Sequence, residues 1–558
     1  MNYVADFETT TDPENCHVWA WCVCTVDENL DLEFGRNIKT FIEWCIKHTG
    51  ANVYFHNLKF DGHFILDYLA KHDWKLLKAD DEVTDKSVSI LMSRMNQMYN
   101  IDMNVTKLSK RVKRIRFYDS AKKIPLPVAE IPKAFDLPIQ KLSIDYDLYR
   151  DENHELTQEE KDYISNDCII VAMALRHQFE EGLKKMTMGA DALYFYKEML
   201  NKEKKSNWKN FFPVLDKNTD AFIRHSYRGG IAQVKEDVKG IDVGKGMVAD
   251  VNSMYPWAMY YMQLPYDKPL YYTGEYREDK YYPLYIQHLV ISFRIKENHL
   301  PIIQIKGNPL YRATMFQKEV LEPVELWVTS VDLELIKQQY DIIDVIYIDG
   351  LKFKSSNMLF RDYIDYWIDI KQKSTGAKRF IAKRMLNSLY GKFATNPDVT
   401  GMYPYLDEDE YTVKFKLDED KERDPVYTAL ACFVTAWGRY KLVNAIQDNY
   451  DRFLYCDTDS IHVLGNEALT NVEVHDTKLG AWAIEGRFKR GRYLRAKTYI
   501  EEMENGYLDV KCATMTASIK EDVTFDNFHV GFTSNKKLRP VKVDGGIVLM
   551  PTPFTIKE

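Results

Sequence analysis

Asp6 and Glu8 stand two apart in Tyr3-Val-Ala-Asp6-Phe-Glu8-Thr. On a strand, alternate residues share a face, so both carboxylates point the same way. The run Tyr54-Phe-His56-Asn57-Leu-Lys-Phe60-Asp61 places a third acid just past a short apolar stretch. A fourth, Asp167, follows Tyr163 by four residues, one helical turn along the same face. Hard divalent cations prefer carboxylate oxygens, and two-metal sites hold their ions ~3.5–4 Å apart, one activating water and the other stabilising a leaving oxygen. Four carboxylates drawn from three segments, with a tyrosine to orient the water, meet that requirement for phosphodiester hydrolysis. Each piece alone reads more readily as surface charge; order and company make the set informative.

A second set lies downstream. Met247-Val-Ala-Asp250 is an apolar strand ending in an acid, followed by a turn at Tyr255-Pro256. Phe453-Leu-Tyr-Cys-Asp457-Thr-Asp459-Ser-Ile-His reads as strand, tight turn, strand. Asp250 beside Asp457 would build a second two-metal centre, one ion lowering the pKa of a primer hydroxyl and the other bridging a nucleotide triphosphate. Asp459 either binds metal loosely or supports the turn, and an isolated Asp-Thr-Asp is commonly just a hairpin turn. The segment Lys383-Arg-Met-Leu-Asn387-Ser-Leu-Tyr390-Gly391-Lys392 adds the deciding element. On a helix, Arg379, Lys383, Asn387 and Tyr390 share one face, while Ile381, Met385 and Leu389 line another. An amphipathic surface helix explains that periodicity. It does not explain why cations, an amide and an aromatic ring gather on one face, where they suit a triphosphate and a base pair.

Positioning these groups requires strands at Tyr3–Phe7 and Val53–Phe55 and near 247–250, 453–456 and 460–464. Thr157-Gln-Glu-Glu160 has the capping-box pattern that opens a helix, expected to run to about Leu183, with a domain boundary near 189. Helices are expected over about 359–372 and 377–391, an exposed acidic loop or hairpin over 405–424, and β-structure in the last fifty residues. The length of 558 residues suggests three or four domains at ~150 residues each. A net charge of −8 argues on average against a nucleic-acid partner. The average hides basic runs at 107–116, 371–392 and 487–497, which hold six, seven and six Lys/Arg and no acid. Such runs are solvated faces or basic grooves for phosphate. The eight cysteines form no C-x-x-C pair, which argues against a zinc ribbon and for buried thiols in a reducing compartment. Neither a signal-peptide pattern nor an apolar run of the ~20 residues needed to span a bilayer is visible, so a cytosolic protein without a membrane span is expected.

D-x-E, N-x3-D (Asn57 to Asp61) and Y-x3-D, in that order, resemble the DEDD-type proofreading exonuclease of family B DNA polymerases. Asp250-x-Asn-Ser-x-Tyr-Pro resembles motif A, Lys383-x3-Asn-Ser-x-Tyr-Gly motif B, and Tyr455-x-Asp-Thr-Asp-Ser motif C. Lys497-Thr-Tyr499 resembles the K-x-Y motif that steadies the primer terminus. The resemblance implies an α/β and α+β multidomain fold: a ribonuclease-H-like exonuclease domain followed by a right-hand polymerase of palm, fingers and thumb with two insertions. It implies Mg2+ as cofactor, two ions per active site with Mn2+ as a substitute, held by Asp6, Glu8, Asp61 and Asp167 and by Asp250, Val251, Asp457 and Asp459. Lys141 would assist the exonuclease, and His56, Asn57, Phe60, Ser120 and Tyr146 would hold a frayed 3′ end. Tyr255 would stack under the nucleotide sugar and reject a 2′-hydroxyl, the group that separates RNA from DNA chemistry. Lys371, Arg379 and Lys383 would neutralise the triphosphate, with Tyr390 and Val251 completing the nucleotide pocket. Asn252, Ser253, Asn387, Gly391, Thr435, Arg439, Lys497 and Tyr499 would contact DNA.

Tyr227-Arg228-Gly229-Gly230 suits contact with single-stranded DNA, or is a simple turn. With YFHNLKFDG, MLNSLYGKFATNPDVTG and YCDTDSIH, it is similar to the protein-primed replicases of small tailed bacteriophages. That group implies an exonuclease domain at 1–189, palm at 190–260 and 427–512, fingers at 359–394 and thumb at 513–558. An insertion at 261–358 would contact the terminal (priming) protein and duplex, and another at 395–426 would give processivity and strand displacement. Implied partners are template and primer DNA, dNTPs, terminal protein and a single-stranded-DNA-binding protein, for a monomer in the cytoplasm of an infected bacterium. A nucleic-acid-primed repair polymerase and a non-catalytic DNA-binding protein are the alternatives. One departure stands out: Ala121 follows Asp119-Ser120 where leucine is expected in the DNA-gripping loop.

Overall fold

The computed structural model describes residues 1–108, 111–146, 148–203 and 207–557. Lys110 of the first basic run lies outside the described residues.

The amino-terminal part is an eight-stranded mixed sheet. Asn2–Thr9 runs antiparallel to Val18–Thr25 and parallel to Asn52–Phe55, which is in turn parallel to Arg111–Asp119. All eight residues of Val18–Thr25 are buried, as expected of a strand covered on both faces. One cover is the helix Gln158–Glu180, opened by the expected capping box: the Thr157 hydroxyl accepts from the Glu160 amide, and the Glu160 carboxylate accepts from the Thr157 amide. The helix stops at Glu180, short of Leu183. Gly189 falls in the first turn of the next helix, Met188–Glu203, so the connection between the two helices lies at 181–187.

The second large sheet is antiparallel throughout, in the order Leu508–Cys512, Thr498–Met503, Trp482–Arg495, Gly246–Val251, Ser460–Leu464, Phe453–Asp457, Ala232–Val234. Beneath it lies Thr428–Asp448, a helix apolar around most of its circumference and correspondingly buried. Between the parts of this sheet in sequence come three further units. Leu264–Thr273, Tyr340–Ser356, Leu284–Ile295 and Glu319–Thr329 form a four-stranded sheet. Arg361–Lys373 and Gly376–Phe393 form a helical pair. Met402–Asp407 and Thr412–Leu417 form a hairpin. The chain ends in the hairpin Thr533–Val543 and Gly546–Thr555.

The acidic segment over 405–424 is not simply exposed. Val413 is 3% exposed and shares an apolar cluster with Phe64 of the first sheet's helix Leu58–Ala70 and with Ile547 of the C-terminal hairpin. Its charged residues pair across the junction, Lys421 with Asp80 and Asp418 with the Ala79 amide, and the preceding Asp398 pairs with Arg94. The charge run marks the polar rim of a docked element. All eight cysteines are buried and unpaired, and no helix among the described residues is long and apolar enough to cross a membrane.

Candidate active sites

Asp6 and Glu8 project from Asn2–Thr9, and Asp61 lies in the first turn of Leu58–Ala70. That helix starts after Asn57, whose backbone is left-handed (φ 77°) and whose amide donates to Asp119 Oδ1 at 3.1 Å. Asp167 comes from the covering helix and pairs with Lys141. The Tyr146 and Tyr163 hydroxyls are hydrogen bonded to each other. Thus the four predicted acids, the tyrosine and Lys141 gather in one place. Burial, then the charge of Asp167, pushes Asp6 up to about 7. Burial followed by the charge of Asp6 raises both Glu8 and Asp61 well above the usual carboxylate range. Four acids so close cannot all ionise without a compensating cation. Asp167 Oδ1 is buried without a hydrogen-bond partner. Among the described residues no three His, Cys, Asp or Glu side chains already form a closed cage for an ion. Even so, the donor chemistry fits a hard divalent cation: oxygen ligands only, mutually repelling, with one lone-pair site open.

His56 and Ser120 are used internally. His56 bonds Ser120 Oγ (3.0 Å) and the Leu126 carbonyl (2.7 Å), and Ser120 Oγ also lies 3.0 Å from the Phe55 carbonyl. They brace the loop beside the acids. Phe60 is half-buried against Phe64.

At the second centre, Asp250 pairs in register with Ser460, and Ser460 with Asp457. Directly opposed residues in antiparallel strands face the same side, so Asp250 and Asp457 share a face but stand two strand spacings apart, about 10 Å. The carboxylate whose charge acts most on Asp250 is Asp459, not the expected Asp457, because the turn carries Asp459 toward the Gly246–Val251 strand. Asp459 sits in the intervening turn, its carbonyl accepting from the Val251 amide at 2.8 Å. Burial, then the charges of Asp459 and Glu485, pushes Asp250 up to about 8; burial foremost puts Asp459 at about 6. Lys497 Nζ bridges both oxygens of Asp457, at 2.8 and 2.7 Å. Tyr499 packs on Tyr455 behind it, ring centroids 5.0 Å apart.

Glu485 is a residue that sequence reasoning missed. It is the extra residue where the pairing of Trp482–Arg495 shifts between Val248 and Ala249, and a β-bulge of this kind re-aims a side chain. No spacing rule on the sequence carries that signal, because the bulge exists only in the register.

The helix Gly376–Phe393 shows the expected division. Ile381, Met385 and Leu389 are buried, whereas Arg379, Lys383 and Asn387 are exposed and Gly391 is open to space. Lys371 Nζ donates to Ser253 Oγ at 3.0 Å, and Arg379 donates to the Lys371 carbonyl at 2.7 Å. Burial and the neighbouring charges of Lys383 and Arg379 lower the Lys371 ammonium. The rings of Tyr255 and Tyr390 touch, with centroids 4.3 Å apart. Asn252 ties this turn to a neighbouring loop through the His475 carbonyl, 2.7 Å away.

Three predicted DNA contacts are placed differently. Thr435 is buried, with its hydroxyl on the Ala431 carbonyl. Arg439 is buried in a bidentate pair with Asp332 (2.9 and 2.8 Å) and also donates to the carbonyls of Arg228 and Gly229 (2.6 and 2.8 Å). The Arg228 guanidinium turns inward to the Trp327 and Ser226 carbonyls. Arg439 and Arg228 support the Tyr227–Gly230 loop from behind instead of reaching outward, because their acceptors at Asp332 and Trp327 lie far away in sequence, whereas Thr435 is satisfied one turn back within its own helix. Gly230 touches the catalytic turn itself: a Cβ there would lie 2.7 Å from Thr458 Oγ1.

A mixed sheet carrying four clustered acids, joined to an antiparallel sheet that sets acids beneath a cationic helix, defines a two-domain nucleotidyl-transferring enzyme. Residues 42–475 match the family described as DNA polymerase type B, organellar and viral. The DNA polymerases of Bacillus phages Nf and phi29 are each 44% identical over 575 residues, covering 100% of this chain and 99% of theirs. That of Streptococcus phage Cp-1 is 33% identical, covering 100% and 98%. The solved phi29 DNA polymerase complexed with primer-template DNA and incoming nucleotide superposes with a TM-score of 0.94 at 44% identity, covering 100% of both chains. The chain belongs to the organellar and viral type B DNA polymerases. It is a template-directed DNA polymerase with exonuclease and polymerase domains.

Proposed function

We propose that this polymerase replicates a phage genome from a protein primer, displacing the non-template strand and proofreading its product 3′ to 5′, in the host cytoplasm. The observation that supports the catalytic assignment is the crowding of Asp250, Asp459 and Glu485, with Asp457 on the same face of the sheet. The carboxylates of each centre would hold two Mg2+ ions, which when bound lower the pKa of the attacking oxygen and offset charge on the leaving one. Arg379, Lys383 and Lys371 bind the triphosphate of the incoming dNTP. Tyr255 lies under the sugar and excludes a 2′-hydroxyl. Lys497 and Tyr499 steady the primer terminus, and Lys497 offsets the charge of Asp457. At the other centre Tyr163 and Tyr146 position the terminal phosphate and water, and Lys141 balances Asp167.

The four-stranded unit within 261–358 is the surface offered to terminal protein and duplex. The hairpin within 395–426 and the C-terminal hairpin of 513–558 together enclose DNA, and their shared apolar junction with Leu58–Ala70 supports that reading. A single-stranded-DNA-binding protein would cover the displaced strand, and the polymerase acts as a monomer.

Asp250→Ala and Asp457→Ala are expected to abolish primer extension and leave 3′–5′ degradation intact; Asp6→Ala and Asp61→Ala do the reverse. Synthesis surviving Asp457→Ala sinks the assignment. Formation of a terminal-protein–dAMP adduct with the cognate protein separates protein priming from a nucleic-acid-primed repair enzyme.

A further inference from the structure

The helix that presents Arg379 and Lys383 does not end in solvent. Its amino-terminal tip is seated in the exonuclease domain. Ala377 is 6% exposed and joins the apolar cluster of Ile131, Phe135 and Ile164. Phe380 lies against Phe135, ring centroids 4.8 Å apart. Gly376 has φ +50°, and a Cβ there would stand 2.7 Å from Asp136 Cβ and 3.0 Å from the Phe135 carbonyl oxygen, so the two backbones approach as closely as a glycine allows.

The socket is part of the editing apparatus. Phe135 closes the short helix Ile131–Phe135, and the chain leaving it delivers Lys141 to Asp167 and Tyr146 to Tyr163. Gln158–Glu180, which carries Tyr163 and Asp167, flanks the same tip. At the opposite end of the helix, Tyr390 rests on Tyr255, ring centroids 4.3 Å apart, so the two rings fill the space between helix and palm. A shift of the helix relative to the palm opens that contact. A helix moves as a rigid element, so that shift also displaces Phe380 against Phe135.

We propose that Phe380 is a positioning residue. Docked on Phe135, it holds the triphosphate-binding helix where Tyr390 rests on Tyr255 and at the same time steadies the Lys141–Tyr146 segment. Nucleotide loading and 3′–5′ degradation thereby draw on one contact in opposite senses. The inference rests on the two-centre reading above, and both activities of the unaltered chain, measured alongside, test that reading separately.

The test is Phe380→Ala in the full chain. Single-nucleotide extension gives KM and kcat for dNTP, and single-turnover degradation of a single-stranded oligonucleotide without dNTP gives the editing rate. An aromatic pair of this kind is worth roughly a factor of 2–10 in an equilibrium. KM is expected to fall about 5-fold with kcat little changed, and degradation to slow by a similar factor, within that range. Phe380→Leu, which keeps an apolar side chain in the socket, returns both toward the unaltered values. Gly376→Ala supplies an independent route: it forces the tip outward by contact with Asp136 and Phe135 and moves both readouts in the same direction. Unchanged KM and degradation in Phe380→Ala and Gly376→Ala overturn the proposal. So does a shift in one activity without the other, or a loss of kcat at constant KM.

Discussion

Gly230→Ala isolates the geometry of the polymerase turn. The added Cβ would lie 2.7 Å from Thr458 Oγ1, 2.8 Å from its Cγ2 and 3.0 Å from its Cα. The last is backbone, so rotating the threonine side chain does not relieve the clash. Gly230 is not among the positive-φ glycines, so alanine carries no backbone strain there and the effect is steric alone. Ordinary contact begins near 3.4 Å, so the Asp457–Asp459 turn must retreat by several tenths of an ångström to about 1 Å. Overpacking of this kind costs about 1–3 kcal/mol, and a misplacement of about 1 Å at a reacting centre lowers the rate about 100-fold. Single-nucleotide incorporation should therefore fall by about 10–100-fold in kcat/KM, with degradation of single-stranded DNA unchanged. Two controls bracket the result. At Gly229 a Cβ meets nothing within 4 Å, so Gly229→Ala should be nearly silent. Gly230→Ala with Thr458→Gly removes the side-chain clashes at a residue whose own φ is +61°, and should recover much of the loss. Full synthesis by Gly230→Ala, or equal damage from Gly229→Ala, would refute the claim that this glycine sets the position of the turn.

Further consequences can be checked in parallel. Arg439→Ala strips Asp332 of its buried partner and frees the Arg228 and Gly229 carbonyls; chemical denaturation should show a loss of about 3–5 kcal/mol, and DNA binding should weaken because the loop is unsupported. Glu485→Gln should reduce the apparent Mg2+ affinity of synthesis by about 10–100-fold, the range seen when groups around a metal site are altered, while the Mg2+ dependence of degradation stays fixed. Asp6 at about 7 and Asp250 at about 8 titrate far above the unfolded value of 3.8. The folded state therefore binds more protons than the unfolded state between about 4 and 8, and stability in EDTA should fall as pH rises across that window. Thermal melts with and without Mg2+ should diverge toward its upper end; parallel melts at every pH would contradict the crowding of unneutralised acids. Asp250→Asn should flatten part of that slope and raise the EDTA melting temperature near neutral pH.

The two acid sets and the cationic helix were legible in the residues because they depend on local periodicity. A strand sets Asp6 and Glu8 on one face, one helical turn joins Tyr163 to Asp167, and steps of four, four and three align Arg379, Lys383, Asn387 and Tyr390. The capping box at Thr157 is equally local and forms as expected. Phe380 shows the limit of such reading: as a half-exposed ring on a basic helix it gives no sign of resting on Phe135, more than 200 positions earlier in the chain.

What the amino-acid order determined alone was the inventory of reactive groups and the elements that carry them, since these follow from neighbours a few positions apart. Tertiary structure decided the rest: the register that sets Asp250 level with Asp457, the bulge that turns Glu485 toward Asp250 and Asp459, and the inward fate of Arg228 and Arg439. Those outcomes depend on strand pairing and on buried partners far away in sequence, and a one-residue slip in pairing would turn the same carboxylate to the opposite face.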